Sequence, residues 1–72
     1  QYQEAIADFT QVIKLEPEFA EAYVSRSIAY DFLNEKQKAI QNIQKAAQLF
    51  QQQGNKAAYQ KTQEILKQLL NN

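Results

Sequence analysis

Displaced by 34 residues, this chain of 72 falls onto itself. Tyr2-Gln3-Glu4-Ala5-Ile6 lands on Lys36-Gln37-Lys38-Ala39-Ile40, and Phe9 lands on Ile43. Val12 then meets Ala46, Ile13 meets Ala47 and Leu15 meets Leu49. Apolar positions meet apolar positions elsewhere, Tyr2 on Lys36 and Ala7 on Gln41 excepted. A fixed period of this length is the signature of stacked repeats, because one helix pair cannot bury its own apolar face and needs a neighbour. Such stacks hold other molecules on their surfaces, so interest moves from reactive pockets to faces.

With one Gly, one Pro and an abundance of Ala, Gln, Lys, Glu and Leu, the chain reads as helical throughout. Apolar spacings of three and four predict a first helix over about Gln3–Leu15, its stripe made by Tyr2, Ala5, Ile6, Phe9, Val12 and Ile13. Pro17 lacks an amide hydrogen and holds Glu16 extended, which ends that helix. The second is predicted over Phe19–Leu33 with two stripes: Phe19, Ala22, Tyr23, Arg26, Ala29, Tyr30 and Leu33, and separately Val24, Ile28 and Phe32. A helix apolar on two sides touches more than one neighbour. Asn34 is a candidate C-cap. A third helix is predicted over Lys36–Phe50, and Gln51-Gln52-Gln53 can prolong it. Gly54 is its natural stop and Asn55 an N-cap for a fourth helix over Lys56–Leu70. There Ala58, Thr62, Ile65, Leu66, Leu69 and Leu70 form the expected inner face, Tyr59 its edge, and Gln60, Lys61, Gln63, Glu64, Lys67 and Gln68 the outer one. A polar outer face suits the closing helix of a stack.

The composition closes off several function classes. The chain has neither Cys nor His, so no disulfide can staple it and no zinc site or cofactor is expected. A reducing, cytoplasmic compartment fits the missing Cys. Acids and bases balance at zero net charge, whereas nucleic-acid binders carry a basic excess. No apolar run reaches the ~18–20 residues of a membrane span, so no membrane partner is expected. The chain opens inside a helical pattern and reads as a fragment, so a targeting signal on the parent would lie outside it. The charge is uneven, however. Residues 1–35 carry seven acids and two bases, a balance of −5, and residues 36–72 carry six lysines and Glu64, a balance of +5. That asymmetry either steers partners and head-to-tail contacts or belongs to two solvated faces.

The run Ala20-Glu21-Ala22-Tyr23-Val24-Ser25-Arg26-Ser27-Ile28-Ala29-Tyr30, followed by Ala39-Ile40, Ile43 and Ala46, resembles one tetratricopeptide repeat. Tyr23, Arg26-Ser27 and Tyr30 match the aromatic, bulky-small pair and Tyr of the family's first helix. Ala39, Ile43 and Ala46 match the second helix, as do Ala5, Phe9 and Val12. Pro17 stands at the inter-repeat proline, and Gln51 departs from it. The resemblance covers residues 1–53 and implies an all-α fold of four helices in antiparallel helix-turn-helix repeats, an α-solenoid fragment. One domain spans 1–72: the second helix of a truncated repeat (1–18), a complete repeat (19–53) and a C-terminal capping helix (54–72). Ser27, Ala39 and Ala46 would let helix axes approach closely where they cross.

The resemblance also implies a non-catalytic scaffold that binds a protein or peptide. Matched onto this chain, the groove side chains are Glu21, Val24, Ser25, Ile28, Asp31 and Phe32, an apolar surface with acidic edges. It suits a peptide with aliphatic or aromatic anchors and a basic residue. The alternative is that Val24, Ile28 and Phe32 pack on an upstream helix. No cation is expected in the groove, which argues against clamping of a free carboxylate. The stripe containing Tyr2, Ile6, Phe9 and Ile13 should be partly naked and support a homo-oligomer. Arg26 should lay its stem on Tyr30 or Tyr23 and bond a backbone carbonyl or an acid. The chain has no reactive thiol or imidazole, Thr10, Ser25, Ser27 and Thr62 lack a base in pattern, and Glu4 and Asp8 read as solvated surface, so no enzyme activity is expected. Two rivals remain: an architectural segment that ends and self-assembles a solenoid, and a helical-repeat RNA binder.

Overall fold

A computed structural model describes residues 1–71. Among them are four α-helices and no strand: α1 (Tyr2–Leu15), α2 (Ala20–Phe32), α3 (Lys36–Gln52) and α4 (Lys56–Asn71). Successive helices pack on one another, so short turns fold the chain into antiparallel pairs. The all-α repeat architecture expected from the period is the one observed. The molecule is a slab of 33 × 32 × 14 Å, thin enough for side-by-side helices and too thin to enclose a deep core.

The helix ends follow local chemistry. α1 stops where Glu16, ahead of Pro17, takes φ −135°. α2 and α3 end alike. Asn34 (φ 63°) and Gly54 (φ 73°) adopt the left-handed conformation. The next amides, Glu35 N–H and Asn55 N–H, then reach back to the Tyr30 and Phe50 carbonyls at 2.9 Å each. The glutamines do prolong α3, to Gln52. Asn55 caps α4 by accepting the Ala58 amide on Oδ1 at 3.1 Å. Gln53 Nε2 donates to the Glu18 carbonyl at 2.8 Å, tying the end of α3 to the turn before α2.

The core is centred on α3. Ala20, Ala46, Leu49 and Phe50 form one buried cluster, flanked by Tyr23, Val24, Ala58 and Tyr59. Ala39, Ile43 and Leu69 form the other, flanked by Val24, Tyr30, Ile40, Ile65 and Leu66. Each large side chain so buried contributes about 1.5–3 kcal/mol. Where α2 crosses α3 the contacts are small residues, with Ala20, Ser27, Ala39 and Ala46 all fully buried. Ser27 Oγ donates to the Ala39 carbonyl at 2.7 Å, which leaves no orphaned polar atom at the closest approach. α1 has no buried residue and joins neither cluster.

Two expectations for α4 are corrected. Leu70 is 63% exposed rather than inner-facing, because the helix's inward stripe ends on Leu69. Tyr59 is no mere edge, since it is half-buried against the Ala20–Phe50 cluster.

Arg26 supplies the polar tie between three helices, with partners other than those expected. Its Nε donates to Asn42 Oδ1 of α3 at 2.7 Å and its Nη1 to Thr10 Oγ1 of α1 at 3.2 Å. Thr10 passes its own proton to the Ile6 carbonyl, and Asn42 Nδ2 donates to the Lys38 carbonyl. The guanidinium lies 5.3 Å from the Tyr23 ring centroid. Neutral side-chain oxygens thus stand where an acid or a backbone carbonyl was expected.

Two outcomes follow for urea denaturation. Ala39→Leu overpacks the α2–α3 crossing and lowers stability by about 1–3 kcal/mol, a large share of the total for so small a domain. Arg26→Ala strips the donor from Asn42 Oδ1 and costs about 1–3 kcal/mol, whereas Arg26→Lys recovers only part, lacking a fork that reaches two helices.

Candidate functional site

α2 and α4 both flank α3, and an open cleft of about 260 Å³ lies between them. Glu21, Val24 and Ser25 of α2 line it, with Phe50 of α3 and Ala58, Lys61, Thr62 and Ile65 of α4. The walls are largely apolar. Val24 belongs to both core clusters, so its position is set by the packing of α2 on α3. Thr62 is buried and donates its hydroxyl proton to the Tyr59 carbonyl at 2.6 Å, so its one polar side-chain atom is satisfied within α4. Two exposed charges of opposite sign, Glu21 and Lys61, stand on the two helices that flank the cleft.

The six side chains assigned to the groove from sequence therefore divide. Glu21, Val24 and Ser25 share the α2–α4 cleft. Ile28 lies instead in a second, shallower groove of about 220 Å³ between α1 and α2, with Tyr2, Ala5, Phe9, Ser25 and Ala29. Phe32 stacks on Tyr2, ring centroids 4.8 Å apart and planes within 3°, and remains 64% exposed. Asp31 is exposed and lines neither hollow. Of the α1 side chains assigned to self-association, Tyr2 and Phe9 line the second groove, and Ile6 and Ile13 are half-buried.

Lys61, Ala58, Thr62 and Ile65 of α4 line the cleft without being assigned to a groove from sequence, because the period of 34 does not align α4 with α2. A displacement of 36 does: Ala22-Tyr23 then meets Ala58-Tyr59, Ala29-Tyr30 meets Ile65-Leu66 and Leu33 meets Leu69. The two extra residues are taken up in the prolonged α3 and its turn.

The electrostatics elsewhere are slight. Glu35 bonds Lys38 at 3.1 Å and holds its ammonium pKa above the ordinary value, far from either groove. Among the described residues no group of three or more acids could hold a metal ion. None of their helices is long and apolar enough to cross a membrane.

A family model described as tetratricopeptide repeat matches residues 1–19 and 20–53. No curated protein and no solved structure matches the chain. The two matched segments correspond to α1 with its turn and to the α2–α3 pair. On that match, which covers well over half of its length, the chain belongs to the tetratricopeptide repeat family.

Proposed function

We propose that this chain is a non-catalytic scaffold whose α2–α4 cleft holds a segment of a partner protein. Tetratricopeptide repeats generally mediate protein–protein interactions and are typically scaffolds rather than enzymes. The observation that carries the finer reading is the cleft itself: an open hollow of about 260 Å³ with apolar walls and two exposed charges of opposite sign. Affinity at such a site comes from one or two aliphatic or aromatic anchors desolvated against Val24, Phe50 and Ile65. Glu21 and Lys61 then set direction and selectivity from the two sides of the cleft. With Glu21 on one side and Lys61 on the other, the favoured segment carries a basic and an acidic residue on either side of its anchor.

In this reading α4 caps the repeat, burying Leu69 and Thr62 against α3 and turning Gln60, Gln63, Glu64 and Lys67 to water. The rival architectural reading draws on the exposed apolar side chains of α1 and α2. A peptide-display selection against the chain separates the two. Selected peptides share a large apolar anchor, and Val24→Glu weakens them at least tenfold while leaving the sedimentation coefficient unchanged. Loss of an oligomer on the same substitution, with no peptide ever selected, favours architecture instead. For the RNA-binding reading, titration with mixed RNA at low salt is expected to show no tight, salt-sensitive binding.

A further inference from the structure

Four residues carry an aliphatic hydroxyl: Thr10, Ser25, Ser27 and Thr62. Three of these hydroxyls are spent within the fold. Thr10 donates to the Ile6 carbonyl at 2.7 Å, Ser27 to the Ala39 carbonyl at 2.7 Å and Thr62 to the Tyr59 carbonyl at 2.6 Å. A helical serine can return its proton to the carbonyl one turn back, as Thr10 does, and Ser25 does not. Its hydroxyl has no hydrogen-bond partner among the described residues. No buried side-chain oxygen among them lacks a partner, so Ser25 Oγ is open to whatever occupies the surface beside it.

Ser25 is half-buried on the wall of the α2–α4 cleft. The other uncharged walls are carbon, from Val24, Phe50, Ala58 and Ile65, and the one further hydroxyl, that of Thr62, is already committed. Glu21 also lines the cleft and lies one helical turn before Ser25, so the two project from the same face of α2. One wall thus offers an unspent hydroxyl followed by a carboxylate. A purely aliphatic anchor pressed onto this wall strips water from Ser25 Oγ and gives nothing back, and that desolvation is costly.

Resting on the reading that this cleft holds a partner segment, we propose that the segment's anchor is a tyrosine and that Ser25 is the residue that selects it. The ring lies on the carbon walls. The phenol oxygen accepts the Ser25 proton, and the phenol proton goes to the Glu21 carboxylate. A carboxylate has two oxygens, which leaves one for the segment's basic residue. Phenylalanine or leucine fills the same walls but leaves Ser25 unpaired. Tryptophan brings a donor and no acceptor, so the Ser25 proton stays unplaced. Ser25 also borders the α1–α2 hollow, but Tyr2, Ala5, Phe9, Ile28 and Ala29 supply no carboxylate there to complete the pair of bonds.

A random peptide library on phage, selected against the chain, supplies the probe. The tightest peptide is then labelled with fluorescein, made with tyrosine or phenylalanine at its anchor, and titrated by anisotropy. The recovered peptides are expected to share a tyrosine. Replacing it by phenylalanine weakens binding about tenfold, the worth of one hydrogen bond. On the Ser25→Ala chain the two peptides bind within about twofold of each other, because one hydrogen bond no longer separates them. Ser25→Ala keeps its helical circular dichroism, since it breaks no bond within the fold. Lys61→Glu weakens both peptides, because Lys61 lines the α2–α4 cleft and not the α1–α2 hollow. The inference is overturned by phenylalanine or leucine anchors predominating, by a tyrosine preference that survives Ser25→Ala, or by binding indifferent to Lys61→Glu. The scaffold reading outlives the first two outcomes if Val24→Glu still weakens the recovered peptides. Recovery of no peptide at all sinks that reading and this inference together.

Discussion

The structure depends on how closely α2 lies against α3. Ala20 and Ser27 on one helix and Ala39 and Ala46 on the other remove side-chain bulk from the crossing, so the two backbones meet almost directly. A hydroxyl at that spot would be an orphan in most cores. Here it is satisfied by the Ala39 carbonyl, and no buried side-chain nitrogen or oxygen among the described residues lacks a partner. With that contact made, Val24 reaches both core clusters and Tyr23 the first, and Leu49, Phe50 and Ile43 fill the space on either side. The fold's margin is small, as in any domain of this size without disulfides or metal, so losing this one contact would be felt everywhere.

The same crossing explains why the molecule is polarised. α2 is committed to α3 through its small residues and joined to both neighbours by Arg26, which donates to Thr10 on one side and Asn42 on the other. α1 is therefore held by a polar tie, half-buried apolar side chains and the Tyr2–Phe32 stack, with no buried residue of its own. α4 is held by Thr62 and Leu69 on α3 and presents glutamines and lysines to water. Two hollows result, one apolar-walled with mixed charge between α2 and α4, the other apolar between α1 and α2.

Much of this was legible in the residues. The displacement of 34 located α1 and α3, and Pro17, Asn34, Gly54 and Asn55 marked ends that agree to within one or two positions. The identity of the small crossing residues was legible too, because only close-packed axes need them. The partition of the α2 outer face was not. Val24, Ile28 and Phe32 lie one turn apart and read as one stripe, yet each step of four residues drifts about 40° round the helix, and Val24 lines the hollow shared with α4 while Ile28 and Phe32 meet α1. The contribution of α4 to the cleft was hidden by a two-residue change of period, and Arg26's partners by their identity as neutral side chains on two separate helices.

Native-state amide hydrogen exchange, followed residue by residue by NMR, tests most directly the claim that the α2–α3 contact holds the stack and that α1, with no buried residue, is held more loosely. The account predicts that α3 amides around Ala39, Ile43 and Ala46 exchange only through global unfolding, while α1 amides exchange faster through local opening. Protection of α1 equal to that of α3, or fastest exchange within α3, would contradict it.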